Sequence, residues 1–104
     1  MVRTGHRLTV AVSTEGSHEL RSVVVYVTGR SYSLGDLAVG ESSAVYVEPI
    51  SESNVELEFV DFLGKTKRLN AGGYFEPGYQ GTFTVRIEAD DIHQVEDGVG
   101  LLSY

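Results

Sequence analysis

The sequence predicts an all-β protein, an antiparallel β-sandwich of about seven short strands. Three observations support this class. Apolar and polar residues alternate with a period of two, most clearly from Val55 to Val60. Glycine-containing turns separate the alternating segments, and no segment keeps a helical period over several turns. The 104 residues suit one domain, with an expected sandwich core over 6–89 and a tail over 90–104.

The first half of the chain predicts four strands, over 6–13, 20–28, 30–34 and 42–49. The second contains the β-branched run Val23 to Val27, so we expect a central strand buried on both faces. A turn-rich stretch over 35–42 precedes the fourth, with Leu37 as its inward anchor. Pro49 should end the fourth strand, because proline has no N–H to donate to a ladder.

The second half predicts three more strands, over 55–60, 65–69 and 81–89. A three-residue hairpin loop with Gly64 in the left-handed region would place Leu57 opposite Leu69 and Glu58 opposite Arg68. This register matches apolar with apolar and acid with base, although it sets Lys67 opposite Phe59. We expect residues 70–80 to form the longest irregular segment.

The tail over 90–104 predicts either one helical turn or an extended segment. Asp90 or Asp91 would cap such a turn and Gly98 would stop it. Its apolar residues make it too hydrophobic for a solvated appendage, so we expect it to pack on the sandwich or against another chain.

Composition excludes several classes of function. There is no cysteine, which removes disulfides, zinc–thiolate sites, iron–sulfur clusters and cysteine nucleophiles. The formal net charge of −7 argues against nucleic-acid binding, which needs clustered Lys and Arg. The apolar runs are too short for a transmembrane helix, so we expect no membrane insertion. Residues 1–6 contain no signal-peptide stretch, and we slightly favour an extracytoplasmic protein whose leader is absent from this chain over a cytoplasmic one.

A family resemblance lies in the segment Leu34-Gly35-Asp36-Leu37-Ala38-Val39-Gly40-Glu41-Ser42, between the valine run and Val45-Tyr46-Val47. It resembles the "G-x-L-x-x-G-E-S" pattern of bacterial immunoglobulin-like domains of the adhesion type, the CARDB kind. In those domains the leucine plugs the core at a connection between sheets, and the glycine-glutamate-serine turn reverses the chain. The resemblance implies a non-catalytic immunoglobulin-like sandwich, often in envelope or surface proteins, and transfers no site residues. The chain departs from the pattern at Thr14-Glu15-Gly16, where an Asn-x-Gly turn is common.

Two groups of residues invite a metal-site interpretation. His6, His18 and His93 have neither helical spacing nor a zinc motif, so we expect loop histidines. The pairs Asp90-Asp91 and Glu96-Asp97 lack the spacing of a calcium-binding EF-hand. We expect no metal and no cofactor.

Two further patterns resemble catalytic ones. Gly40-Glu41-Ser42 lacks the second glycine and the following helix of a nucleophile elbow, so Ser42 is expected to be a turn serine. Glu56 and Glu58 share a strand face like a glycosidase pair, yet pairing with the basic run 65–68 is the simpler explanation. We therefore expect no enzyme.

The segment with the strongest site character is Tyr74-Phe75-Glu76-Pro77-Gly78-Tyr79. Three aromatic residues in a glycine-rich loop suit a stacking platform for a sugar or an anchor for a protein partner. The structural alternative is that Tyr74 and Phe75 cap the core while Tyr79 forms a corner hydrogen bond.

These observations predict a non-catalytic interaction or structural module. It would bind another protein, or self-associate into a homo-oligomer, through the 70–80 loop or a sheet edge, and 30–47 is the expected edge. The alternative is a carbohydrate-binding module using Tyr74, Phe75 and Tyr79, with Glu76 as a polar orienter. We expect no nucleic-acid partner and regard a small-molecule ligand as the weaker interpretation.

Overall fold

The computed structural model describes residues 8–16, 18–28, 30–48, 51–61, 63–88 and 91–101. These residues form eight strands and no helix, which confirms the all-β class with one strand more than the predicted number. The strands are β1 Leu8–Thr14, β2 Leu20–Val27, β3 Arg30–Leu37, β4 Ser42–Val47, β5 Ser53–Val60, β6 Thr66–Phe75, β7 Tyr79–Glu88 and β8 Asp91–Leu101.

Two four-stranded sheets pack as a sandwich. Sheet A has the order β4-β1-β7-β8, and sheet B has the order β3-β2-β5-β6. The described strand pairs are antiparallel except β1 and β7, which run parallel with Val10 beside Phe83. The predicted antiparallel sandwich is therefore confirmed apart from this one parallel pair. Alternation identifies a strand but carries no information about its direction, and β7 reaches β1 only after the chain crosses from sheet B.

The core consists of the inward faces of both sheets. Val23, Val25 and Val27 of β2 are buried, whereas Val24 and Tyr26 between them are half-buried on the outer face. The prediction that β2 is central is confirmed, since β2 lies between β3 and β5. Burial on both faces is wrong, because sheet B is covered on one side only. Leu37 is buried at the end of β3, as expected of the inward anchor.

The β5–β6 hairpin has the predicted register. Leu57 lies opposite Leu69, Glu58 opposite Arg68 and Phe59 opposite Lys67. Gly64 has a φ of 84°, the left-handed conformation that its place in the loop requires. Asp61 is 7% exposed and stabilises the loop, because its Oδ1 accepts from the N–H groups of residues 63 and 65 at 2.9 and 2.8 Å.

The prediction of a long irregular segment over 70–80 is wrong. β6 continues to Phe75 and β7 begins at Tyr79, so only residues 76–78 connect them. Gly72 and Gly73 have φ values of 82° and 83°, and the β5–β6 register shifts beside them. Glycines that predict a loop here form an irregularity inside a strand instead.

The described part of the tail, 91–101, is the edge strand β8, which pairs antiparallel with β7 and places Val95 opposite Val85. The extended alternative and the expected packing on the sandwich are confirmed, and the helical turn is wrong. The Asp91 carboxylate does accept an N–H, that of Ile92 at 2.8 Å, but within a strand. Pro49, Asp90 and His6 lie outside the described residues, and β4 ends at Val47.

Candidate interaction surfaces

The predicted aromatic site is divided by the pleat of β6. Consecutive strand residues point to opposite faces, so Tyr74 is 49% exposed while Phe75 is fully buried. Phe75 packs edge-on against Phe83 in the core, with ring centroids 5.2 Å apart. The structure therefore brings Tyr74, Glu76 and Tyr79 together but separates Phe75 from them, and the three-ring platform does not form.

The remaining aromatic pair is closed on itself. The Tyr74 ring meets Tyr79 edge-on, with centroids 6.2 Å apart, and its hydroxyl donates to Glu76 Oε2 at 2.6 Å. This hydrogen bond to the carboxylate, with partial burial, raises the pKa of Tyr74 to about 12. The polar groups expected to orient a ligand already bind each other.

The other predicted chemical groups lie apart. Glu56 and Glu58 bind Arg68 at 2.8 and 4.0 Å, as expected for this basic run. His93 lies 3.1 Å from Glu88. Within the described ranges, no three His, Asp or Glu side chains are grouped to hold a metal ion. Ser42 begins a strand directly after a tight turn, in which Glu41 Oε1 accepts from the Ala38 N–H at 2.8 Å.

Four of the described strands lie at sheet edges, and three of them carry features that block a further strand. β3 and β6 contain charged residues and shifts in pairing register. β8 contains four ionisable side chains and a register shift against β7. The fourth edge is β4, Ser42-Ser43-Ala44-Val45-Tyr46-Val47, which has no charge, no proline and an unbroken register with β1. Both β3 and β4 lie in the region predicted as an edge.

The backbone of β4 offers hydrogen-bonding groups at this edge. The Thr14 N–H donates to Glu41 O at 3.1 Å. Antiparallel ladders alternate between hydrogen-bonded and non-hydrogen-bonded pairs. The backbone N–H and C=O of residues 43, 45 and 47 therefore point towards β1, and those of Ser42 and Ala44 point away from it, to the outer side of β4. The Glu48 N–H follows the same alternation and donates to the Tyr32 hydroxyl of β3 at 2.9 Å. β3 therefore contacts the Glu48 end of this edge, and no strand of the described residues pairs with the outer side of β4 at its Ser42 end.

A polar groove of about 390 Å³ crosses the outer face of sheet B. Its lining includes side chains from all four strands of that sheet and the β2–β3 turn: Tyr26, Thr28, Arg30, Asn54, Glu56 and Arg68. The Arg68 guanidinium lies 3.9 Å from the centroid of the Tyr26 ring and donates to Glu56 at 2.8 Å. The hydrogen bond to Glu56 is the main cause that raises the pKa of Arg68.

Sequence reasoning missed this groove. The predicted register could have indicated it, because placing Glu58 opposite Arg68 brings the outward side chains of β5 and β6 onto one face of the sheet. The prediction that β2 is buried on both faces placed Tyr26 in the core, whereas it lies on the outer face of sheet B.

The described part of the chain has no helix with the length and apolarity needed to cross a membrane.

Comparison with known proteins supports the fold. No protein-family model and no curated protein matches the chain. An NMR structure of a protein from Eubacterium rectale is similar to it, with a TM-score of 0.62 over 99% of this chain and 100% of that one. The two sequences are 15% identical, so the likeness concerns the fold alone.

Proposed function

We propose that the protein is a non-catalytic interaction module that binds an extended segment of a partner protein along β4. The observation that carries this proposal is the contrast among the edges, since β4 alone of the four described edges has no charge and no register shift. An open edge is a template for pairing with another chain, and proteins normally block it. An unblocked edge is explained if a partner segment pairs with it as an added strand, as in β-augmentation.

The immunoglobulin-like assignment is part of this proposal. The order β3-β2-β5-β6 corresponds to C′-C-F-G of the immunoglobulin fold, and the antiparallel pair β1–β4 corresponds to B–E. The buried Leu37 suits the core-plugging role of the leucine in the CARDB-like pattern. Such domains are non-catalytic, which supports an interaction role.

Charge favours a different protein over a second copy of this one. The chain carries a net charge of −7, which opposes self-association, and the exposed Glu41 and Glu48 flank β4. A fitting segment has β-branched or aromatic residues at its centre and Lys or Arg at its flanks. Tyr46, 59% exposed on the outer face of β4, offers that segment an aromatic contact.

The test uses Ala44→Pro, because the Ala44 N–H points away from β1. Proline there removes a donor from the open edge and leaves the β1 ladder intact. Ala44→Val is the matched control, since it keeps the N–H and suits a strand. Peptides selected from a random displayed library on the wild-type protein are synthesised and measured by calorimetry against all three proteins, after thermal unfolding confirms that each variant folds.

We expect the selected peptides to be rich in Lys and Arg, to bind more weakly as salt is added, and to lose at least about tenfold in affinity with Ala44→Pro but not with Ala44→Val. Equal binding to Ala44→Pro would contradict the proposed edge. Sedimentation equilibrium examines self-association: a dimer that Ala44→Pro dissociates would keep the edge as the binding surface and make the partner a second copy.

A further inference from the structure

The polar groove lies on sheet B, whereas β4 belongs to sheet A, and several of the groove's side chains are ordered by contacts within the protein. Arg68 is fixed by its contacts with the Tyr26 ring and Glu56. Asn54 Nδ2 donates to Asn70 Oδ1 at 3.1 Å, and that oxygen also accepts from the Gly72 N–H at 2.8 Å. Ordered polar side chains lose little conformational entropy on binding, which is the property of a preformed recognition site.

The groove is nearly charge-compensated although the protein is acidic. Its lining contains two arginines and Glu56. Glu48 lies 3.7 Å from Arg30, and Glu58 lies 4.0 Å from Arg68. An anion would meet these carboxylates and a cation would meet the guanidinium groups, so neither charged class is favoured. An apolar ligand would bury the amide and guanidinium donors without partners, which is costly.

The groove still offers hydrogen-bonding capacity in both directions. An arginine has five N–H donors, and Arg68 uses its Nε on Glu56. Arg30 approaches Glu48 at 3.7 Å, beyond hydrogen-bonding distance, so its fork remains available for a ligand. The carboxylate of Glu56 and the amide of Asn54 have further acceptor sites. Planar groups that donate and accept in pairs match the adjacent hydroxyls of a sugar ring.

We propose that this groove binds a short neutral saccharide, whose hydroxyls pair with Arg30, Asn54, Glu56 and Arg68. Its volume of about 390 Å³ falls within the roughly 300–1,000 Å³ of small-ligand sites. This location differs from that of the sugar alternative predicted at the Tyr74 segment, and of these four residues the sequence indicated only Glu56, as one of a possible glycosidase pair.

The test is an NMR titration of the ¹⁵N-labelled full chain with four neutral trisaccharides: maltotriose, cellotriose, mannotriose and triacetylchitotriose. We expect at least one to give saturable shifts in the amides of 26–31, 54–56 and 68, with a Kd of about 1 mM or tighter. Arg68→Ala and Asn54→Ala should each weaken that binding at least about tenfold.

Arg86→Ala is the matched control, because Arg86 binds Glu96 and Glu15 at 2.6 and 3.1 Å on sheet A. It removes an equally paired arginine outside the groove and should leave the Kd unchanged. The proposal is overturned if none of the four sugars saturates, if the shifts lie outside the groove, or if Arg86→Ala weakens binding as much as Arg68→Ala. Ala44→Pro should leave sugar binding intact, so failure at the β4 edge and failure at the groove are separate results.

Discussion

Gly81 is the position where one added methyl group should do most damage. It lies in β7 between two neighbouring strands, beside Leu8 of β1 and opposite Val99 of β8. Its φ is 116°, and a Cβ built there would overlap the carbonyl oxygen of Gly98 in β8. Because the obstacle is backbone, no side-chain rotation relieves the overlap. Gly81→Ala must therefore push β8 away from β7.

Gly40 measures the cost of backbone conformation alone. Its φ is 80°, and a Cβ there would meet nothing within 4 Å. Gly40→Ala should cost about 1–2 kcal/mol, the usual penalty for an L-residue in the left-handed region. Gly81→Ala adds the overlap to a conformation still further from the allowed region, and we expect a loss of more than about 3 kcal/mol.

Thermal unfolding compares the two variants. In a domain of this size each kcal/mol lowers Tm by about 4–8 °C, so we expect a loss of about 4–16 °C for Gly40→Ala and a larger loss, more than about 12 °C, for Gly81→Ala. In Gly81→Ala, the β8 amides should also exchange hydrogen faster than in the wild-type protein, while the β5 amides stay better protected than those of β8. If Gly81→Ala destabilises no more than Gly40→Ala, the close approach of β7 and β8 is refuted.

Three further predictions concern the core, a loop and the aromatic pair. Phe75→Ala should lower the free energy of unfolding by about 3–5 kcal/mol in urea, because Phe75 is fully buried; a cost no larger than that of Tyr74→Ala would contradict this. Asp61→Ala should cost about 1–2 kcal/mol, since two loop N–H groups lose their acceptor, and unchanged urea stability would refute that role. Glu76→Gln should lower the pKa of Tyr74 from about 12 towards its ordinary 10, and tyrosinate absorbance measures this. Because the pKa is raised in the folded protein, the Tyr74–Glu76 contact contributes its full stability below pH 10, and that contribution is lost as pH rises through about 12. An unchanged titration would contradict the Glu76 contact.

Local alternation predicted much of the fold because burial on one face of a strand imposes a period of two. The inward positions Val55, Leu57 and Phe59 are buried, and the β5–β6 register followed from matching Leu57 with Leu69. The loop chemistry of Gly64 sets the same register independently. Where two local signals agreed, the prediction was confirmed.

The errors arise where distant contacts override local preference. Gly72 and Gly73 favour a loop by themselves, yet pairing with β5 continues β6 through them. Asp91 and Gly98 suit helix ends, yet β7 provides an edge that draws the same residues into a strand. The groove was not predicted because it needs side chains from four strands at once, and their lateral order is absent from any local pattern.

The parallel pairing of β1 with β7 has a consequence for the order of folding. β1 is the first described strand, yet it lies in the middle of sheet A and needs β7, more than half the chain away, as a neighbour. At a synthesis rate of about 5–20 residues per second, a nascent β1 would wait several seconds for that neighbour. Sheet B uses strands between Leu20 and Phe75 and is complete earlier. We expect the long loop that β1 and β7 close to make sheet A the late, slow step of folding, because β4 is the one other described neighbour of β1 in that sheet.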